Sequence, residues 1–501
     1  MTAIITEKFK LHNATQFYES FAEAAKTVYY MLLGKATPFT SATSGGTDSS
    51  SPTPANDVTS EFYVWDQTTA GKNITSSDIS YALPRRDWAN STTYDMYEDN
   101  ISSSNLSTSS ASNLYDATFF FRTSDNRIYK VLDNNGGTAY SGSEPSSEST
   151  SPFAQGGYVL KYMYTISSSE QTKFLTTDYM PVSTDSTISA AATDGKIESV
   201  IVTAGSGYTN GTYYVAVNGD GTSAGTSSGA IIGFTVSNNA IADFGITSGT
   251  DTIVYAGGAG YTYGTVTLSD ATVYTDVTLS TAVTSGYIDN GSSGAIQIVI
   301  SPKNGHGYNA IEELGGHYVM MNTLFIGAER DDIFIGNDFR NIAIVTDPTT
   351  YGTSTVATDS TVRQTYATKL SSVSGTFTVD EKITQATTLA IGKVVEWDGT
   401  NSILYYQQER YTDYGTSSVG AYVAFSGANA ITGATSSAAG TPDASADSAV
   451  TLSGGFTITF TDGYCNPELQ PDSGNIIYNE NRAPISRAAN QTEDIKIVVE
   501  F

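Results

Sequence analysis

Apolar and polar residues alternate with a period of two through most of this chain. Segments 213–218 and 456–460 show the pattern clearly, because every second side chain is large and apolar. Successive side chains of a strand point to opposite faces, so this period predicts strands with one buried and one wet face. The C-terminus repeats it, with Ile495, Ile497 and Val499 on one face. We therefore expect the chain to end in a strand of a sheet and to tolerate truncation there poorly.

One amphipathic helix is predicted, near the N-terminus. Apolar residues recur there at the spacing of one helical face: Phe17, Phe21, Ala25, Val28 and Leu32. Asn13 is placed to cap this helix, and Gln16 completes a capping box three residues later. Gly34 is a natural stop. The Ser, Thr, Gly and Pro residues over 40–60 predict a loop.

A strand followed by Gly-x-Gly-Tyr occurs three times, ending at Tyr208, Tyr261 and Tyr308. The uneven spacing does not fit a solenoid and favours small β units inserted in tandem. The glycines allow turns with positive φ, and each tyrosine is predicted to cover the end of a small core.

A second β-rich block spans 351–462. Within it, the apolar stretches 394–397 and 403–406 flank an Asp398-Gly399 turn and predict a hairpin. Residues Ala428 to Ala449 are almost all small or polar, and we expect a surface loop there.

The composition of the chain limits the classes of molecule that it is expected to bind. The 501 residues suffice for about three domains. The 24 basic and 51 acidic residues give a net charge of −27, although only 15% of residues are charged. Nucleic acid and anionic membranes require a concentrated basic face, so neither is expected as a main partner, and no membrane insertion is predicted. Cys465 is the only cysteine, which excludes an intramolecular disulfide. The N-terminus lacks the apolar core of a signal peptide, so we expect a soluble protein made in a cytoplasm.

Catalytic and metal-binding patterns are weak. Gly221 to Gly225 matches the G-x-S-x-G nucleophile elbow around Ser223, but no helical pattern follows it. His306 and His317 lack zinc-site spacing, although they could meet in space. Three acidic residues offer oxygen ligands without EF-hand spacing, and a solvated acidic turn is favoured there: Asp331, Asp332 and Asp338. We predict no enzyme, no cofactor and no metal.

The densest group of unusual residues is Arg85, Arg86, Asp87 and Trp88. Two arginines beside an acid and an indole suit a bidentate ion pair with stacking. This pairing could lie within the domain or across a subunit contact, since interfaces favour arginine and tryptophan. Both interpretations remain open from the sequence.

Several segments, in order, resemble the gene product 8 family of baseplate wedge proteins of T4-like contractile-tailed phages. They are Gly34–Phe39, Leu83–Trp88, Tyr129–Asp133, Gly157–Tyr162, Phe339–Pro348, Glu480–Ile485 and Gln491–Ile495. Together the resemblance covers about 1–185, 300–350 and 463–501.

The resemblance implies a structural virion protein of the tail baseplate, a homodimeric α+β subunit that joins other wedge proteins and has no catalytic activity. We expect a predominantly β, α+β fold whose discontinuous core carries two inserted β-rich domains. The predicted segments are 1–189 for the first part of the core, 190–300 for tandem β units, 301–350 for the second part, 351–462 for the second insertion and 463–501 for the C-terminal strand segment.

The candidate interface residues are Arg85, Arg86, Asp87, Trp88, Arg482 and Pro484; their interface role is our hypothesis. The alternative function is a peripheral tail module that recognises host glycans through tyrosine rings of the β insertions. A hydrolase using Ser223 is a third and weaker possibility.

Overall fold

The computed structural model describes residues 4–40, 45–221, 229–410, 416–418, 421–445 and 449–501. These ranges are mostly β, and the predicted α+β class with β predominating is confirmed. The helices are α1 Glu7–Glu19, α2 Val58–Gln67, α3 Ser168–Phe174, α4 Ser186–Ala191 and α5 Ala310–Leu314.

The strands in the first part of the chain are β1 Tyr29–Gly34, β2 Thr68–Ile74, β3 Ile79–Pro84, β4 Phe120–Arg122, β5 Arg127–Asp133, β6 Phe153–Gln155, β7 Tyr158–Thr165, β8 Tyr179–Pro181, β9 Ser199–Thr203, β10 Gly211–Ala216, β11 Asn218–Gly219, β12 Ile231–Ser237, β13 Ala240–Ile241, β14 Ile253–Ala256, β15 Gly264–Thr265, β16 Val273–Tyr274 and β17 Ala295–Val299. Those in the second part are β18 Tyr318–Ile326, β19 Asp338–Thr346, β20 Thr361–Arg363, β21 Tyr366–Ser374, β22 Lys382–Gln385, β23 Ile391–Asp398, β24 Ile403–Gln407, β25 Thr416–Ser418, β26 Ala421–Tyr422, β27 Ile431–Gly433, β28 Ala439–Pro442, β29 Ala449–Thr451, β30 Thr457–Thr459, β31 Tyr464–Cys465, β32 Asn475–Ser486 and β33 Thr492–Glu500.

The chain divides into two compact units, each assembled from segments far apart in sequence. Unit 1 contains Met1–Gln16, Ser80–Met320 and Val498–Phe501, and unit 2 contains Phe17–Ile79 and Met321–Ile497. The predicted division into a core with insertions at 190–300 and 351–462 stays a prediction.

Unit 1 contains a four-stranded antiparallel sheet of order β4-β5-β7-β6. Its apolar core is aromatic: Phe119, Phe120, Phe121 and Tyr129 are all buried in one cluster. Large rings supply much apolar area per residue, which suits a chain with few long aliphatic runs.

The Gly-x-Gly-Tyr turns also lie in unit 1. All six glycines have positive φ, as predicted: Gly205, Gly207, Gly258, Gly260, Gly305 and Gly307. Tyr208 and Tyr261 are buried in the core of the β9–β17 region, which confirms the prediction for the first two turns. The prediction is wrong for the third, because Tyr308 is 45% exposed.

In unit 2, the segment predicted as the second half of a helix is a strand. Helix α1 ends at Glu19, and β1 lies between β2 and β19 in a sheet of order β20-β2-β1-β19-β32. Every residue of β1 is buried. A strand buried on both faces is a continuous apolar run, and such a run also matches helical spacing. The predicted helix from Asn13 to Gly34 is therefore wrong in its bounds.

The loop predicted over 40–60 runs into a helix that the sequence reasoning missed. The Asp57 side chain accepts a hydrogen bond from the Ser60 N–H and caps α2, which buries Val64 and Trp65. An acidic residue at the N-cap and the apolar residues Val64 and Trp65 in the last turns were the available signals.

The second sheet of unit 2 has the order β24-β23-β22-β27-β28-β21-β31, and β24 also pairs with β21. The predicted hairpin is confirmed, since β23 and β24 pair around Asp398-Gly399. The surface loop predicted at 428–449 is wrong, because β27 and β28 both lie within this sheet. Small residues fit there: a Cβ on Gly440 would lie 2.9 Å from Leu370 Cδ1.

The predicted C-terminal strand is confirmed. β33 is the edge strand of a sheet of order β33-β18-β3-β8, and Ile495 and Ile497 are buried. Among the described helices, none combines the length and apolarity needed to cross a bilayer.

Candidate functional site

The Arg85 to Trp88 segment follows β3 in unit 1 and forms its ion pairs within the chain. Arg85 donates from Nε and Nη2 to the Asp87 carboxylate at 3.0 and 2.7 Å, and Arg122 of β4 donates from Nε at 2.8 Å. Burial alone would raise the pKa of Asp87, but the hydrogen bonds from Arg85 and Arg122 outweigh it and lower that pKa. The segment is thereby fixed to β4.

Arg86 is held by backbone carbonyls. Its guanidinium donates to Ala117 O and to Tyr115 O, the latter at 3.0 Å, and lies 4.3 Å from the ring centroid of Phe120. Burial lowers the pKa of Arg86 to about 10. These contacts anchor the segment to the aromatic core.

Trp88 packs edge-on against Tyr140, with 5.8 Å between ring centroids. Its buried indole N–H has no hydrogen-bond partner in the part of the chain that the structure describes. Pairing within the domain is thus observed for this segment, and its use at a subunit interface stays a prediction.

Arg482 and Pro484 lie in unit 2, on the edge strand β32. The Arg482 guanidinium is half-buried and makes no ion pair or side-chain hydrogen bond with the described residues, and Pro484 is exposed. The two groups of interface candidates therefore belong to different compact units, and no single unit brings them together.

A buried charged network in unit 1 was not predicted. Lys130 Nζ donates to Glu313 Oε2 and to His306 Nδ1, both at 2.9 Å, and lies 3.9 Å from the Tyr97 ring centroid. The Gly307 N–H donates to Glu313 Oε1 at 2.7 Å. Burial lowers the pKa of His306 well below its ordinary value, so its imidazole is neutral and accepts from Lys130. No signal in the sequence joins Lys130 to Glu313, 183 positions later.

The residues considered as metal ligands have other partners in the structure. His306 faces Lys130, and His317 Nδ1 lies 3.5 Å from Glu7 Oε2. Asp332 is buried and accepts a hydrogen bond from Thr361, so the expected solvated acidic turn is wrong for this residue. The described ranges contain no group of three or more His, Cys, Asp or Glu residues placed to hold a metal. Ser223 lies outside the described residues.

Unit 2 contains a cleft of 390 Å³, here called the Lys35 cleft. Its lining residues are Lys35, Thr37, Pro38, Phe39, Thr40, Pro52, Thr53, Pro54, Ala55, Ser60, Tyr63, Val64, Gln67, Asn341, Lys393, Glu409, Asn479 and Asn481. They include parts of three segments that carry the resemblance, namely 34–39, 339–348 and 480–485. The fold thus brings to one cleft three segments that are each more than a hundred residues apart in sequence.

Packing at the end of β1 positions Lys35. A Cβ on Gly34 would lie 2.9 Å from Gln67 O, so only glycine permits the close approach of the α2–β2 junction. Lys35 then turns into the left-handed region with φ 59° and donates its backbone N–H to Gln67 O at 2.9 Å. The Lys35 side chain is buried and lines the cleft.

Amide side chains form one wall of the Lys35 cleft. Asn341 of β19 donates from Nδ2 to Asn479 Oδ1 at 2.6 Å and to Asn481 Oδ1 at 2.8 Å. Asn481 donates in turn to Pro52 O at 3.0 Å. This network orients the amides of the edge strand β32. Nothing in the periodicity of the sequence predicted it.

Comparison with known proteins gives one family. Residues 3–133 match the model of the Phage-Gp8 family, described as bacteriophage T4 Gp8. No curated protein matches the chain. The matched range contains Gly34–Phe39, Leu83–Trp88 and Tyr129–Asp133, which carried the resemblance in the first part of the sequence. Residues 3–133 are therefore similar to the Phage-Gp8 family, and this match supports assignment to the baseplate wedge proteins of T4-like phages.

Proposed function

We propose that this chain is a non-enzymatic structural subunit of the baseplate wedge in a contractile phage tail. The family match over residues 3–133 carries the proposal. The protein is made in the host cytoplasm and incorporated into the virion, where it joins other wedge proteins. Its net charge of −27 argues against nucleic acid and anionic membranes as main partners. It acts mechanically, through protein contacts that hold one baseplate state and are exchanged when the tail contracts.

The subunit is proposed to be a homodimer. Arg482 and Pro484 are the first interface candidates, because a guanidinium without an ion pair on an edge strand can bind a second chain. The exposed Asp87 ranks next, with Arg85, Arg86 and Trp88 around it. We also propose that segments 190–300 and 351–462 are insertions in the core of the wedge protein.

Sedimentation tests the dimer directly. At micromolar concentration the purified chain should sediment as a dimer, and Arg482→Ala should weaken the dimer about tenfold or more. Arg127→Ala is the matched control, since Arg127 pairs with Asp125 and Glu148 inside unit 1. A strictly monomeric wild-type chain would contradict the proposed dimer.

One observation favours the glycan-binding alternative as a second candidate. On the sheet of β10, β12, β14 and β16, the rings of Tyr214 and Tyr255 lie 5.7 Å apart, and Tyr274 pairs with Tyr214 across the strands. Tyr255 is 50% exposed, and Tyr263, between β14 and β15, is 59% exposed. Exposed tyrosine rings can stack on pyranose faces.

A glycan array probed with the full chain tests this candidate. Binding that is lost in Tyr255→Ala and kept in Tyr308→Ala supports it, because both tyrosines are exposed but only Tyr255 contacts Tyr214. Absence of any glycan signal removes the candidate and leaves the wedge proposal unchanged.

A further inference from the structure

We propose that the Lys35 cleft binds an extended acidic segment of a partner protein, with a carboxylate of that segment paired to Lys35 Nζ. The inference deepens the proposed function, on which it rests, because the partner would be a neighbouring protein of the baseplate. It names a site and a ligand chemistry that the family match does not supply.

The first observation is that Lys35 Nζ has one hydrogen-bond acceptor and no ion pair among the described residues, although it lies 5.6 Å from the ring centroid of Phe39 and is attracted by Glu409 of the same lining. Only 7% of the Lys35 surface is exposed, and its Nζ donates a hydrogen bond to Thr37 Oγ1 at 2.7 Å. No carboxylate oxygen of a described residue lies within ion-pairing distance of Nζ. An ammonium has three donors, and buried charges in proteins are normally paired. The fold therefore leaves a buried cation with unused donors at the wall of an open cleft.

The second observation is the backbone of the same residue. Lys35 has φ 59°, a left-handed conformation that residues other than glycine, asparagine and aspartate rarely adopt. Strained positions of this kind are concentrated at functional sites, where the surrounding structure enforces them. Here the residue in that conformation is a lysine whose side chain lines the cleft.

The remaining lining residues match an acidic peptide. The charged residues of the lining are Lys35, Lys393 and Glu409, so the cleft carries a net positive charge in a chain of net charge −27. Charge complementarity of this type steers and orients partners. Burial lowers the pKa of Lys35, Glu409 opposes that shift, and a carboxylate arriving from a partner would oppose it further.

The walls favour a peptide over a small inorganic anion. Asn479 on the edge strand β32 accepts from Asn341 through Oδ1, and its Nδ2 makes no hydrogen bond with the described residues and can donate to the backbone of an extended segment. Pro38, Phe39 and Tyr63 supply apolar surface on which side chains can pack. The volume of 390 Å³ lies in the range of small-ligand sites and admits a few residues.

The test uses the full chain and two fluorescently labelled peptides, Ac-Pro-Ala-Glu-Ala-Pro-amide and the same peptide with glutamine in place of glutamate. Fluorescence anisotropy at low salt should show the glutamate peptide binding about tenfold more tightly, which is the effect of one charge-assisted hydrogen bond. Lys35→Met should abolish this preference. Lys303→Met, at an exposed lysine of unit 1, should retain it.

Three results would overturn the inference: no binding of either peptide in the millimolar range, equal binding of both, or a preference that survives Lys35→Met. An unchanged melting temperature of Lys35→Met shows that the variant is folded. Mass spectrometry of purified tails separates the two proposals. If the chain is present in tails but lacks the peptide preference, only this inference fails. If the preference is observed but the chain is absent from tails, the wedge proposal fails and the carboxylate site stands.

Discussion

Lys130 in unit 1 and Lys35 in unit 2 are both buried, and they differ in how their charge is satisfied. In unit 1, Lys130 is fully buried and is bound by Glu313, His306 and the ring of Tyr97. In unit 2, Lys35 is nearly as buried, but it has one hydroxyl acceptor, lies farther from its aromatic ring, at 5.6 Å from the centroid of Phe39, and lines a cleft.

This difference distinguishes a lysine whose charge is paired within the fold from a lysine whose charge can still bind a partner. Lys130 donates to Glu313 and His306 and lies against the Tyr97 ring, so removal of this cation would leave the buried Glu313 carboxylate without its ion pair. Lys35 retains donors at a site that a partner can enter. Burial alone does not distinguish the two lysines. The number and type of their hydrogen-bond partners determine whether the ammonium can bind a ligand.

The largest expected effect is on Lys130. Lys130→Met leaves the buried Glu313 carboxylate without its cation and should reduce the free energy of unfolding by about 3–5 kcal/mol. Chemical denaturation followed by circular dichroism measures this change. A loss below about 1 kcal/mol would contradict the structural role given to the network.

The same substitution at Lys35 should be nearly neutral. Lys35→Met keeps an apolar stem, removes a desolvated charge and loses one hydrogen bond, so the free energy of unfolding should stay within about 1 kcal/mol of the wild type or increase. Differential scanning calorimetry on both methionine variants gives the comparison directly. Equal losses in the two variants would show that Lys35 is also a structural charge.

The pH dependence sharpens the same contrast. Burial lowers the pKa of Lys35, so the unfolded chain holds more protons at this residue between its folded pKa and its ordinary pKa. The stability of the wild type should therefore rise with pH in this window relative to Lys35→Met, by up to about 1.4 kcal/mol per unit of pKa difference. Neighbouring charges also shift the pKa of Lys35: Glu409 and Asp380 raise it, and Lys393 and Arg340 lower it. Chemical denaturation at pH 7, 8, 9 and 10 measures the free energy of unfolding of both proteins. A difference between wild type and Lys35→Met that does not change with pH would contradict this prediction.

The smallest effect is expected at the exposed ion pair of the Arg85 to Trp88 segment. The Asp87 side chain is 46% exposed, so solvent screens its pairs with Arg85 and Arg122. Asp87→Asn should lower the free energy of unfolding by about 0.5 kcal/mol. A loss comparable to that of Lys130→Met, measured in the same denaturation experiment, would show that this pair is part of the core.

Local patterns predicted those elements whose partners lie close in sequence. The Asp398-Gly399 hairpin and the positive-φ glycines at Gly205 and Gly258 follow from turn chemistry alone. The prediction failed at β1, where burial on both faces removes the alternation that marks a strand. It also failed at β27 and β28, whose small residues give no apolar signal.

The candidate site was predictable only in part. The Arg85 and Asp87 pair was anticipated because the two residues are only two positions apart. The Lys35 cleft was not, since Lys35, Asn341 and Asn481 meet only through the pairing of β1, β19 and β32. The resemblance singled out all three segments without indicating that they share a site.

The central claim is that this chain is a structural component of a tail baseplate. A cryo-electron microscopy map of the intact phage tail, combined with mass spectrometry of purified tails, tests it most directly. The account predicts this chain in the baseplate, in two copies that contact each other, with density from a neighbouring protein in the Lys35 cleft. Purified tails that lack the chain would contradict the account.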